Sequence, residues 1–228
     1  MRWQTIYEAR WIFVAILLLA AITATVTSFL APALTPWASA VWLLFVLYVF
    51  YFFRDPDRVT PADPDVAVAA ADGVIADITE IEEPEVVKAR MKRVAIFLSV
   101  FDVHTNRAPV AGTVTYTERR VGKMLDARHP DATRLNECRV WAIDHKTTAG
   151  RDAVVVVRQI TGAIARRIVA WAQVGQSVAR GERFGMIRFG SRTEVYLPLD
   201  AEVTVKVGDR VQSGVTIIAR LRSDSPAS

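Results

Sequence analysis

The stretch RFGSRTEVYLP, Arg188 to Pro198, sets a Gly-Ser pair inside what otherwise reads as β structure near the C-terminus. Gly190 opens backbone angles closed to other residues, and Ser191 carries a hydroxyl within reach of the carbonyl that precedes it. Two readings follow. Most Gly-Ser pairs are turns; the other reading is a peptide bond open to attack by its own serine.

Working outward from this stretch, the chain keeps reading as β. Val94 to Val103, VAIFLSVFDV, has the apolar, β-branched content of a buried strand and delivers His104 at its end. Gly112 to Tyr116 is a further strand. Arg139 to His145 and Ala153 to Thr161, the second with Val154 to Val157 in a row, form a hairpin pair. Glu80 to Arg93 is charged enough to be a loop or an exposed strand edge, Glu118 to Glu137 reads as a polar loop, and Asp72-Gly73 suits a hairpin turn. In the last quarter, VGQSVARG from Val174 and VGDRVQSG from Val207 repeat Val-Gly-x-x-Val-x-x-Gly. A turn-strand unit used twice builds a quasi-twofold β sandwich or flattened barrel, and it resembles the half-motifs of biotinyl and lipoyl carrier domains. The expected fold is therefore mainly β over residues 65–221, with a flexible tail at 222–228.

The N-terminus differs. From Trp11 to Phe53 there is no charged residue. Residues 11–31 are long enough for a helix to cross a hydrocarbon core of ~30 Å, Pro32 and Pro36 break it, and 37–53 supply a second span rich in Trp, Tyr and Phe. A signal peptide has a shorter apolar core and no second span behind it. The expectation is a transmembrane hairpin, residues 1–53, joined by a Pro- and Asp-rich linker at 54–64. Arg2, Arg10, Arg54 and Arg58 flank the spans while the loop between them has no basic residue, which puts both ends on the cytoplasmic side of the cell membrane. Beyond the hairpin the charges nearly balance, 26 basic against 23 acidic, with no basic block for nucleic acid. Cys138 is the single cysteine, so an intrachain disulfide and a thiolate metal cluster are both excluded.

Three segments, in order, carry a resemblance: RDP at 54–56 followed by VAVAAADGVI, then FLSVFDVHTNRAPVAG from Phe97, then GERFGMIRFGS ending at Ser191. Together they resemble the phosphatidylserine decarboxylase family in its short, membrane-anchored (archaeal-type) form, over about Arg54 to Ile218. The resemblance implies self-cleavage between Gly190 and Ser191 into chains 1–190 and 191–228. Ser191 attacks the Gly190 carbonyl, the ester undergoes β-elimination, and hydrolysis leaves a covalent pyruvoyl group from Ser191, which takes the amine of phosphatidylserine in a Schiff base. Asp72 and His104 match the family's active-site aspartate and histidine. Where longer relatives carry a second histidine, three positions on, this chain has Arg107, so the base for self-cleavage stays open between readings. The implied product is phosphatidylethanolamine with carbon dioxide, and a homodimer is left open.

Decarboxylation of an α-amino acid needs an electron sink. The chain shows no pyridoxal, nicotinamide or metal motif, which leaves Ser191 as the evident source of an electrophile. His129 and His145 lack partners at metal-ligand spacing, so a zinc peptidase of β fold does not fit and no metal is expected. A non-enzymatic, membrane-anchored barrel-sandwich adaptor or carrier would explain the repeat and the hairpin, but its soluble part belongs outside the cytoplasm.

Overall fold

A computed structural model of the chain describes every residue except 1, 2, 130, 164–166, 189 and 223–228. It divides into two compact units, residues up to Pro56 and residues from Asp57 onward. The expected flexible tail lies almost wholly outside the described residues.

The first unit is a helical hairpin. Helix α1 spans Trp3–Leu30 and α2 spans Thr35–Phe52, joined by a 3-10 turn at Pro32–Leu34 where proline ends the first helix. α1 begins earlier than the uncharged run, so Glu8 and Arg10 sit on its first turns rather than in a separate polar start. Phe13 packs on Phe50 with ring centroids 4.7 Å apart. Leu17, Leu18, Ile22 and Phe29 on α1, with Leu43, Leu44 and Leu47 on α2, are exposed. A continuous apolar surface of this kind is costly in water, and both helices are long and apolar enough to cross a membrane.

The second unit is mainly β. Its strands are β1 (Val66–Val68), β2 (Gly73–Glu83), β3 (Ala89–Leu98), β4 (Thr105–Arg107) and β5 (Gly112–Arg120); a short helix α3 (Ala132–Leu135); then β6 (Cys138–Lys146) and β7 (Asp152–Thr161). There follow β8 (Arg167–Ala170), β9 (Ser177–Val178), β10 (Arg183–Arg188), β11 (Ser191–Leu197), β12 (Glu202–Val203), β13 (Arg210–Val211) and β14 (Ile217–Arg220). One curled, antiparallel eight-stranded sheet runs β13-β2-β3-β11-β7-β6-β5-β9, and two three-stranded sheets, β1-β14-β12 and β4-β10-β8, complete the domain. This half-barrel agrees with the β sandwich or flattened barrel expected from the sequence.

Alternation along each strand decides what the core contains. Val94, Ile96 and Leu98 of β3, Val155 and Val157 of β7, and Val195 and Leu197 of β11 join Trp141, Phe184 and Ile218 in the main apolar cluster. Each such side chain is worth about 1.5–3 kcal/mol when taken out of water. The opposite face of the large sheet buries Met91, Cys138, Val140, Val156 and Tyr196 in a second cluster.

The β6/β7 hairpin forms as read, with Arg139 opposite Gln159 and Trp141 opposite Val157. Of the two readings of Glu80 to Arg93, the exposed strand edge holds and the loop does not: the stretch is a hairpin of β2 and β3 with Glu80 to Glu82 exposed, its turn held from inside by the buried Glu83 carboxylate, which accepts backbone N–H groups from Glu85, Val86 and Val87 at 3.1, 2.7 and 2.8 Å. Asp72-Gly73 does not turn a hairpin between neighbouring strands, since β1 and β2 lie in different sheets.

The two sequence repeats take the same turn-strand-turn conformation at opposite edges of the large sheet. Gly175 N–H donates to Val114 in β5, and Gly208 N–H donates to Ile75 in β2. β9 then pairs with β5, and β13 with β2. This is a local correspondence of backbone; the likeness to carrier domains stays an expectation of the sequence.

Candidate active site

β11 is an inner strand of the large sheet, with Ser191 opposite Leu98 of β3 on one side and Thr161 of β7 on the other. β10 belongs to a different sheet, so the chain changes sheets immediately before Ser191. Gly190 makes that corner with φ of +60°, a conformation L side chains rarely adopt. Of the two readings of the Gly-Ser pair, the structure shows the turn: the pair is the corner where the chain passes from one sheet to the next.

Ser191 is fully buried, and its Oγ has no hydrogen-bond partner among the described residues. An unpaired hydroxyl inside a protein is a cost in want of a reason. His104, also fully buried, approaches from the segment between β3 and β4. Its Nδ1 lies 2.9 Å from the Asp102 carbonyl oxygen and its Nε2 3.2 Å from the Gly190 amide nitrogen. A carbonyl only accepts and an amide N–H only donates, so the ring is the neutral tautomer with its proton on Nδ1. The basic lone pair on Nε2 therefore faces the corner, one peptide unit from the Gly190–Ser191 bond.

Sequence reasoning named His104 but passed over what holds it. Asp102 accepts hydrogen bonds from the Ser99 N–H at 2.8 Å, from Ser99 Oγ at 2.7 Å and from Arg210 at 3.0 Å. Burial pushes the Asp102 carboxyl up, but these hydrogen bonds outweigh it and hold the group below its usual range. The result is a rigid loop that aims the imidazole. The spacing Ser99-x-x-Asp102 was the available signal, since a serine and an aspartate three apart commonly close a local turn.

Asp72 is placed differently. Arg58 grips its carboxylate with two nitrogens, at 2.5 and 2.7 Å, and the Ser213 N–H donates to it at 2.9 Å. Arg58 also donates to the Ser213 carbonyl and hydroxyl, both at 2.8 Å. Asp72 precedes β2, whose Val74 lies opposite Phe97, while Ser191 lies opposite Leu98 on the far side of β3. Asp72 and Ser191 therefore share one end of the sheet about two strand spacings apart, roughly 10 Å. Arg107 is buried and donates to the Gly181 carbonyl at 3.1 Å. His145 donates through Nδ1 to the Ala111 carbonyl, and His129 accepts from the Asp131 N–H within its own turn. Among the described residues no cluster of His, Cys, Asp or Glu could hold a metal ion.

A cavity of about 240 Å³ opens beside Gly190, walled by Phe97, Leu98, Val100, Ala127 and Ala163. It gives a small molecule a route to the corner.

The model of the family described as phosphatidylserine decarboxylase matches residues 45–219. The chain belongs to the phosphatidylserine decarboxylase family. A relative from Symbiobacterium thermophilum, named phosphatidylserine decarboxylase proenzyme, is 48% identical over 186 residues, 81% of this chain and 85% of the relative. Proenzymes of the same name from Geotalea daltonii and Gluconacetobacter diazotrophicus are each 44% identical, covering 79% and 84% of this chain and 82% and 87% of their own lengths.

Proposed function

We propose that this chain is a self-processing carboxy-lyase that converts phosphatidylserine to phosphatidylethanolamine and carbon dioxide, with Ser191 the source of a pyruvoyl group. The observation that carries the reading is the corner at Gly190–Ser191, where a buried serine hydroxyl without a partner among the described residues follows a glycine whose amide N–H donates to the Nε2 of a neutral, oriented histidine. The site suits the group because the hydroxyl that must be consumed is buried and has no partner among the described residues, and a cavity reaches Gly190.

In processing, Ser191 Oγ adds to the Gly190 carbonyl carbon. The Gly190–Ser191 C–N bond breaks as a C–O ester forms, and the hydroxyl proton passes to the freed amine. Removal of the Ser191 α-proton expels the Gly190 carboxylate, and water replaces the nitrogen, which leaves as ammonia. His104 is the base in reach, its Nε2 needing to exchange the Gly190 N–H for the serine hydroxyl or the α-proton. We assign Asp72 a supporting role: with Arg58 and Ser213 it ties the start of β2 to the segment after β13 and so fixes the end of the sheet that carries Leu98 and Ser191. The products are chains 1–190 and 191–228. When formed, the pyruvoyl group supplies a carbonyl sink for the electrons released with carbon dioxide. In turnover we assign His104 the return of a proton to the substrate α-carbon, which requires its Nε2 to let go of the Gly190 N–H. The basic residues flanking the helices favour a cytoplasmic position for this domain at the cell membrane.

Purified protein in detergent micelles should release labelled carbon dioxide from carboxyl-labelled phosphatidylserine, and hydroxylamine should stop it. Release that survives carbonyl blockade would overturn the proposal.

A further inference from the structure

The cavity beside Gly190 has an apolar interior and a charged rim. Among the described residues lining it the charged ones are Asp126 and Arg128. Gly162 brings the far wall close: a Cβ there would meet the Gly190 carbonyl oxygen at 2.5 Å and the Ala127 Cβ at 3.3 Å. Arg128 leans over the Phe97 ring, its Cζ 5.7 Å from the centroid, and presents Nε and Nη2 to the Asp126 carboxylate at 3.0 and 2.7 Å. Asp126 is also tied to the Arg128 backbone N–H at 2.8 Å. Two parallel N–H donors facing one carboxylate match equally well the two non-bridging oxygens of a phosphodiester. Both side chains of the pair are at least half exposed, so a competing anion can displace the carboxylate easily.

We propose that Arg128 reads the phosphodiester of the substrate headgroup at the cavity rim, Asp126 holding its place until the lipid arrives, while the headgroup carboxylate enters the apolar interior beside Gly190. This rests on the decarboxylase reading above and assigns it a recognition residue. The arrangement has a chemical logic: an apolar wall of Phe97, Leu98 and Val100 strips water from a carboxylate, and loss of carbon dioxide removes that charge from the wall. Phosphate at the rim and carboxylate inside also fix which bond lies next to residue 191.

The test compares wild type, Arg128→Gln and Arg128→Lys in mixed micelles of phosphatidylserine, with self-cleavage read on the same samples. Arg128→Gln should cleave normally, keep kcat within a few-fold and raise KM roughly 10- to 100-fold, the value of a charged hydrogen-bond pair. Arg128→Lys, which keeps charge but not the fork, should fall between. Sedimentation with phosphatidylglycerol vesicles should be unchanged, separating headgroup recognition from general attraction to an anionic surface. An unchanged KM in Arg128→Gln beside an active wild type overturns this proposal alone; so does a KM rise matched by lost vesicle binding, or loss of self-cleavage in both variants. A wild type that is cleaved but releases no carbon dioxide overturns the decarboxylase reading, and Arg128 with it.

Discussion

The two faces of β11 are built from one strand and treated oppositely. Outward-facing Glu194 is fully buried yet fully engaged: Thr133 and Tyr196 donate to it at 2.7 Å each, and Arg192 pairs with it at 2.7 Å. Burial, and then Glu194, push the Tyr196 phenol up. Inward-facing Ser191 and Thr193 are just as buried, and neither hydroxyl has a partner among the described residues. Buried polar groups that serve structure are paired, because leaving one unpaired costs stability. Ser191, one of the two unpaired hydroxyls of the inner face, is the residue for which we propose self-cleavage, a reaction that needs an uncommitted hydroxyl.

Substitutions can break or sharpen this contrast. His104→Ala acts on the inner face, removing the base beside the corner, and should slow self-cleavage by roughly 10²- to 10⁴-fold on a gel time course. Cleavage at the wild-type rate would take His104 out of processing. Glu194→Ala acts on the outer face and should behave in the opposite way: about 3–5 kcal/mol of stability lost in denaturant, from a buried pair broken on one side, with cleavage preserved in the folded fraction. Intact stability would mean the outer network is ornamental.

Asp102 links structure to chemistry. Because its carboxyl is held below the usual range, it stabilises the fold above the unfolded value of about 4, and that contribution fades as pH falls through the lower, folded value. Asp102→Asn should therefore flatten the loss of stability on acidification and, by loosening the His104 loop, slow cleavage roughly 10- to 100-fold. An unchanged acid profile would show that the Ser99 and Arg210 contacts do not hold the loop. The smallest effect should come from Thr193→Val, which removes an unpaired hydroxyl at nearly constant shape and should raise stability by about 1 kcal/mol. A loss of similar size would show that the hydroxyl is paired after all.

Much of this was legible in the sequence for local reasons. The run of valines before Arg158 and the apolar residues Val94 to Leu98 specify buried strands by composition, and the uncharged residues from Trp11 to Phe53 specify a helical hairpin by length; the strand read as running on to Val103 stops at Leu98, so His104 comes from a loop and not from a strand end. The partners of the site residues were not legible, because they come from far along the chain. Ser213 reaches Asp72 across 141 residues, and Arg210 reaches Asp102 across 108. The Glu80 to Arg93 stretch was legible only in part for a similar reason: its charges fitted either a loop or an exposed strand edge, and what makes it strand is Arg93 pairing with Asp77 across the β2/β3 ladder and Glu83 turning inward to cap. Charge marks exposure only when no cross-strand partner is waiting.

Intact mass spectrometry of the purified wild-type protein and of Ser191→Ala tests the central claim most directly. The wild type should appear as two chains, residues 1–190 and a fragment from residue 191 lighter than its serine-initiated form by one ammonia, while Ser191→Ala should remain a single chain. A wild type that is intact yet converts phosphatidylserine, or a fragment that begins with an unmodified serine and is equally active, would contradict it.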